Sequence, residues 1–131
     1  ESNCVSIDQH NDVARMKSGP LLGLPVELSL IAAGLSEQVL TAVAASDAIA
    51  IAYQTTDDIS DAERDISSGG LNFIALVQGD MAARVNAARM HATSHARAAI
   101  KIATTLPHKS GDGFISLAEK FNPAAEMLEA I

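Results

Sequence analysis

Three aspartates stand at the end of a long apolar segment, in the stretch YQTTDDISD at positions 53–61. If this segment is helical, Asp57 and Asp61 lie one turn apart on the same face, and Asp58 flanks them. Carboxylates at this spacing repel one another, and the helix dipole disfavours negative charge near a C-terminus. We therefore expect a cation close to the three side chains.

Oxygen ligands without histidine or cysteine favour Mg²⁺, which proteins commonly bind through one or two carboxylates together with phosphate oxygens of a substrate. The alternative is a frayed helix end whose acids are simply solvated. Helical periodicity over about 37–61 favours the metal site, because the acids continue the sector that holds the apolar residues. That sector contains Val39, Leu40, Val43, Asp47, Ala50, Ile51, Gln54, Asp57, Asp58 and Asp61.

The rest of the chain also reads as helical. We expect helices over 4–17 and 21–33, separated by a break at Ser18-Gly19-Pro20 and ended by Gly34. A break at 67–70 precedes a short helical segment over 71–78, and a long helix follows over about 80–105. After a loop at 108–113, two short helices are expected over 114–121 and 123–131. No segment shows the alternation of a strand, so the predicted class is all-α, with residues 1–131 as one unit.

Composition excludes several classes of function. The 131 residues are 48% hydrophobic with few aromatics, which indicates an aliphatic core. A net charge of −7 argues against a nucleic-acid partner. No apolar run approaches the length of a transmembrane helix. The single cysteine, Cys4, cannot form an intrachain disulfide, and we expect a cytoplasmic protein.

Two other features are explained by the surface and the packing of helices, without a metal site or a membrane. His91 and His95 are four residues apart on the long helix, but the glutamate of the H-E-x-x-H zinc motif is absent between them. A polar or solvated helix face is therefore expected there rather than a zinc site. The alanine-rich segment 82–103 is expected to pack closely against another helix rather than to contact a membrane.

Two motifs together carry a family resemblance. The stretch Tyr53-Gln54-x-x-Asp57-Asp58-x-x-Asp61 resembles the second aspartate-rich motif (DDxxD) of the trans-isoprenyl diphosphate synthases, or polyprenyl synthetases. Upstream, Lys17-Ser18-Gly19-Pro20-Leu21 resembles the Lys-Thr-Gly-x-Leu motif of that family, with serine in place of threonine. The similarity extends over the chain, but only about the first 65 residues carry specific motifs.

The resemblance implies an antiparallel helical bundle of the isoprenoid synthase type and a Mg²⁺-dependent transferase of isoprenoid biosynthesis. Such an enzyme joins an allylic diphosphate head-to-tail to isopentenyl diphosphate and makes a polyprenyl diphosphate, for example geranylgeranyl diphosphate or a longer one. It also implies a homodimer. Carried over by position, Asp57 is the principal metal ligand, and Asp58 and Asp61 add direct or water-mediated contacts. Lys17 and Ser18 bind the diphosphate, and Gln54 orients the substrates.

The departures from the family pattern are equally specific. The chain contains no first aspartate-rich motif, and the basic residue usual after the second motif is missing; Arg64 and the stretch Ser67-Ser68-Gly69-Gly70 stand in that region. We therefore expect the C-terminal half of a longer synthase, inactive alone and completed by a missing N-terminal half or a partner chain. Two alternatives remain open: a non-catalytic helical subunit or fragment that stabilises a synthase partner, and a head-to-head class I terpenoid synthase.

Overall fold

The computed structural model describes residues 6–122, without the side chains at positions 63 and 66. Four α-helices make up most of this part of the chain, and it contains no strand, which confirms the all-α class. They are α1 (Ile7–Ala32), α2 (Val39–Ser67), α3 (Met81–Ala103) and α4 (Asp112–Glu119). Short 3₁₀ turns at Ser36–Gln38, Phe73–Leu76 and Pro107–Lys109 connect them. The expected helix at 123–131 lies outside the described residues.

The first helix differs from expectation. The break predicted at Ser18-Gly19-Pro20 is wrong, because α1 runs through Gly19, Pro20 and Pro25 without interruption. It begins at a capping box in which Ser6 Oγ accepts from Gln9 N at 3.1 Å and Gln9 Oε1 accepts from Ser6 N at 2.8 Å. As expected, it ends just before Gly34, whose φ is 77°.

Close packing of α1 on α2 explains why the glycines do not break the helix. A Cβ at Gly19 would lie 2.5 Å from Asp47 Oδ1, and one at Gly23 would lie 2.7 Å from Ser46 Oγ. The two glycines therefore allow α1 to lie directly against α2. Tertiary contacts of this kind help to offset the local preference against helix at Gly and Pro.

The central helix is α2, which packs against α1 on one side and α3 on the other. Small side chains let α2 and α3 approach closely, as expected for the alanine-rich segment. The buried residues of this contact include Ala45, Ala48, Ala52, Ala92, Ala96 and Ala99. Because α2 is covered on two sides, it buries far more than one apolar stripe.

The segment between α2 and α3 is less helical than expected, since it forms only the 3₁₀ turn Phe73–Leu76. Asp80 caps α3 by accepting from Ala83 N at 2.8 Å, close to the predicted helix start. No helix in the described part of the chain combines the length and the apolar character needed to cross a membrane.

Candidate functional site

A pocket of about 450 Å³ lies between the N-terminal half of α1 and the C-terminal half of α2. Its wall is continued by the glycine-containing segment that follows α2. The lining residues are mostly polar: His10, Val13, Lys17, Gln54, Asp57, Asp61, Arg64, Asp65, Gly70 and Leu71. The pocket therefore combines side chains from both motifs that the sequence analysis selected.

Four of the six residues expected in the site line this pocket. Lys17 comes from α1, whereas Gln54, Asp57 and Asp61 come from successive turns of α2. Ser18 is half-buried and does not line the pocket. Asp58 lies behind the wall, and its side chain is only 2% exposed.

Negative charge is crowded at the mouth of the pocket. The pKa of Asp57 is raised, first by its partial burial and then by the neighbouring carboxylates, of which Asp61 contributes most. Asp61 is itself paired with Arg64, whose Nη2 lies 3.1 Å from its Oδ2. Arg64 therefore offsets part of the charge, while Asp57 has no such partner among the described residues.

The ammonium group of Lys17 is the second charged feature of the pocket. Lys17 is exposed, and no described carboxylate lies within ion-pair distance of its Nζ. A lysine is a flexible point charge with three donors, suited to an anionic ligand that fills the space in front of it. Lys17 on α1 and Asp57 on α2 line the same pocket, so that a molecule bound there would meet both an ammonium group and a carboxylate.

Asp58 is the most extensively hydrogen-bonded acid of the three, because its carboxylate accepts hydrogen bonds from three separate parts of the chain. Its Oδ2 accepts from His10 Nε2 at 2.7 Å and from Phe73 N at 2.8 Å. Its Oδ1 accepts from Gln54 Nε2 at 3.1 Å. We call these contacts the Asp58 hub. It joins α1, α2 and the turn after α2 at the floor of the pocket.

The turn after α2 is held to the same hub by Asn72, which is fully buried. Asn72 Nδ2 donates to the backbone oxygen of Asp58 at 2.8 Å and to Asp65 Oδ2 at 3.1 Å. Its Oδ1 accepts from Ile74 N at 2.8 Å and so caps the 3₁₀ turn. Neither His10 nor Asn72 was expected in the site. An asparagine two residues after a Gly-Gly pair is a turn signal, but nothing in the sequence marks its distant partner.

His91 is half-buried, so that the face expected to be polar or solvated is only partly solvated there. Its ring stacks on Phe73 with centroids 4.6 Å apart, and its Nε2 lies 3.0 Å from Asn11 Oδ1. His10 meets the other side of the same group, edge-on to Phe73 at 5.6 Å. Burial, followed by the nearby His95, lowers the pKa of His91 to about 4. The histidines therefore form a packed aromatic group that supports the pocket.

The buried stripe expected on α2 is only partly right. Ala50 and Ile51 are buried, but Leu40 is 81% exposed. Among the acids of the sector, Asp58 is buried, Asp61 is half-buried and Asp57 is exposed toward the pocket. The surfaces of α2 that α1 and α3 cover do not coincide with the predicted sector, so that the sector contains both buried and exposed residues.

The carboxylates of the pocket, Asp57 and Asp61, could act as ligands of a metal ion. In the described part of the chain, no three His, Cys, Asp or Glu side chains converge in the manner of a preformed metal cage. Mg²⁺ does not need such a cage, because it retains waters and is usually held by one or two carboxylates plus substrate phosphates. Asp57 and Asp61, with charge in excess of their one arginine, fit that mode of binding.

A second, apolar groove of about 410 Å³ lies farther along the contact between α1 and α2. It begins next to the polar pocket, since Met16 lines the groove and Lys17 lines the pocket. The groove residues are Arg15, Met16, Gly19, Pro20, Leu24, Glu27, Val43, Ser46 and Asp47. Burial raises the pKa of Asp47, and Arg15 opposes that rise.

Comparison of this chain with protein-family models, with curated proteins and with solved structures finds no significant match.

Proposed function

We propose that the chain is the C-terminal half of a Mg²⁺-dependent trans-prenyltransferase that condenses an allylic diphosphate with isopentenyl diphosphate. One observation carries the proposal: Lys17 of one motif and Gln54, Asp57 and Asp61 of the other, far apart in the sequence, line one pocket between α1 and α2. Chance similarity in two short motifs would not require them to meet in space. The pocket also provides the opposite charges that a diphosphate–metal pair requires.

In the proposed site, Asp57 and Asp61 would hold Mg²⁺ on the pocket side of α2. The bound metal would neutralise negative charge on the diphosphate as it leaves. Lys17 would bind diphosphate oxygens from the opposite wall. Its charge would favour departure of the diphosphate with the electron pair of the broken carbon–oxygen bond. Gln54 would orient the substrates, because its amide nitrogen is held by Asp58 while the side chain lines the pocket.

The reaction itself is a substitution at carbon. The bond from the allylic carbon to the diphosphate oxygen breaks, and the double bond of isopentenyl diphosphate attacks the resulting cation. Loss of a proton to the released diphosphate then restores a double bond in the lengthened product. The apolar groove beside the pocket supports this assignment, because an isoprenoid diphosphate has an anionic head and a hydrocarbon tail.

The first aspartate-rich motif would be supplied from outside these 131 residues, by an N-terminal half or by a partner chain. The exposed surface of α1 beside Lys17 supports this part of the proposal. Several large apolar side chains on α1 are exposed, which is typical of a surface that another element covers. They include Val13, Met16, Leu21, Leu24, Leu28 and Ile31.

A thermal-shift experiment on the full-length protein tests the proposal. Mg²⁺ together with methylene bisphosphonate, a stable diphosphate analogue, should raise the melting temperature by several degrees when both are well above their dissociation constants. Asp57→Ala should abolish the shift. Asp12→Asn is the matched control, because Asp12 is an exposed acid on α1 paired with Arg15. The assignment fails if the shift is the same in Asp57→Ala as in the wild type.

A non-catalytic helical subunit is the second candidate, and the Asp58 hub is the observation that favours it. The hub gives one of the three aspartates a role in folding that requires neither metal nor substrate. It does not explain why Asp57 is exposed in a pocket that Lys17 also lines. Incubation of the full-length protein with labelled isopentenyl diphosphate and allylic diphosphates separates the candidates. A head-to-tail product supports the transferase, and absence of any product with a series of allylic substrates supports the subunit.

A further inference from the structure

The buried contact between His10 and Asp58 connects the two walls of the pocket. His10 and Lys17 are both on α1, seven residues apart, so that two helical turns bring them to the same face. Asp58 is adjacent to Asp57 in α2. The bond from His10 Nε2 to Asp58 Oδ2, 2.7 Å long and buried at both ends, therefore lies beneath the pocket that Lys17 and Asp57 line.

The hub leaves Asp58 little capacity to bind anything else. Each carboxylate oxygen has about two lone-pair sites. Oδ2 is filled by His10 Nε2 and Phe73 N, and Oδ1 accepts from Gln54. With its side chain 2% exposed, Asp58 is a receptor for protein donors rather than an open ligand of the pocket.

We propose that His10 is a positioning residue which, through Asp58, sets the separation of Lys17 from Asp57 and Asp61 for binding of a divalent cation with a diphosphate. The inference rests on the proposed function, since it concerns the ligand of the same pocket. His10 supplies the only described side-chain hydrogen bond from α1 to the acidic end of α2. Without it, the separation of the two walls at the pocket would rest on helix packing alone, with no described side-chain hydrogen bond from α1 to the acidic end of α2.

The sequence of α1 allows a sharp test because two replacements of His10 separate its hydrogen bond from its packing. His10→Gln places a side-chain N–H near the position of Nε2 and keeps the donor. His10→Phe keeps an aromatic ring against Phe73 and removes the donor. His91→Phe is the matched control, because His91 also packs on Phe73 but does not contact Asp58.

The measurement is the affinity of the full-length protein for Mn²⁺ in the presence of methylene bisphosphonate, read from the electron paramagnetic resonance signal of free Mn²⁺. Residues that orient metal-binding carboxylates typically change metal affinity about 10–100-fold when they are replaced. We expect His10→Phe to weaken Mn²⁺ binding by about 10-fold at the lower end of that range. His10→Gln should recover most of this loss, and His91→Phe should lower the melting temperature with unchanged affinity.

If His10→Phe does not fold, His10→Asn replaces it in the comparison with His10→Gln, since the shorter amide does not reach Asp58. Equal affinity in the wild type and the variant without the donor overturns the inference, as does an equal loss in His10→Phe and His91→Phe. Asp57→Asn distinguishes failure of the role proposed for His10 from failure of the proposed function. If it abolishes Mn²⁺ binding while His10→Phe does not alter it, only the role of His10 is refuted. If Asp57→Asn binds normally, the proposed function falls and this inference falls with it.

Discussion

Replacing Asp58 by alanine should destabilise the protein far more than replacing the adjacent Asp57. The two acids look equivalent in the sequence, yet Asp58 is 1% exposed and accepts three hydrogen bonds, whereas Asp57 faces the pocket. Removal of the Asp58 carboxylate leaves Phe73 N and His10 Nε2 as buried donors without an acceptor. Gln54 is only half-buried and can turn toward water.

The expected size of the effect follows from those two donors. A buried donor left unsatisfied costs about 1–3 kcal/mol, so that the pair corresponds to about 2–6 kcal/mol. That is a large part of the ~5–15 kcal/mol by which domains of this size are stable. Asp58→Asn should cost less, because its amide oxygen can still accept from His10 and Phe73 while Gln54 reorients. Hydrogen bonds to a neutral acceptor are weaker by about 1 kcal/mol each, which predicts a loss of about 2 kcal/mol.

Urea unfolding followed by circular dichroism would give these free energies, with Asp57→Ala as the control. The control should lie within about 0.5 kcal/mol of the wild type, as is usual for surface substitutions. Hydrogen exchange of the Phe73 amide should accelerate in Asp58→Ala and remain slow in the control. A loss below ~1 kcal/mol for Asp58→Ala, or unchanged exchange at Phe73, would refute the account of the hub.

Three further outcomes follow from the same structure. Without metal, Asp57→Asn should stabilise the protein at pH 7 by about 0.3–0.5 kcal/mol, because it relieves repulsion with Asp61. The pKa of Asp57 is raised, so that its charge destabilises the fold only above that pKa. The gain in the free energy of urea unfolding should therefore vanish as the pH falls through the pKa of Asp57. Gly23→Ala should lower the free energy of unfolding by about 1–3 kcal/mol, since its Cβ would lie 2.7 Å from Ser46 Oγ. Ser46→Ala in the same protein should recover part of the lost melting temperature. If the effects of the two substitutions simply add, there is no clash between these side chains. His91 should titrate near pH 4 by NMR. Between pH 6.5 and about 4 the unfolded chain binds the proton more readily than the folded one, so that stability should fall as the pH falls through this range. A titration near 6.5 would contradict the burial of His91.

Much of the fold was predictable because its helices satisfy local rules. Asp80 before α3, Gly34 after α1 and the glycines after α2 marked boundaries to within a few residues. The break at Gly19-Pro20 failed for a tertiary reason. Those residues disfavour a helix locally, but the close approach of α1 to α2 needs small residues on this face. A sequence pattern does not reveal which helix will be the neighbour.

The candidate site was predictable only in its chemistry. The spacing of the motif was enough to select Asp57 and Asp61, and the family resemblance added Lys17 and Gln54, all of which line the pocket. The different setting of Asp58 was not predictable, since its hydrogen-bond partners are distant in sequence or lie in a turn that was expected to be helical.

The sequence by itself determined that three carboxylates share the end of one helix, because helical spacing is a local property of consecutive residues. It also determined the all-α class through the absence of strand periodicity and the abundance of alanine and leucine. Only the tertiary structure decided which carboxylate is buried and which lines the pocket together with Lys17. That division depends on where α1 and the turn after α2 place their donors, through a contact that joins residues 48 positions apart. Packing of one helix on another, and not the order of residues within either, separates Asp58 from its neighbour.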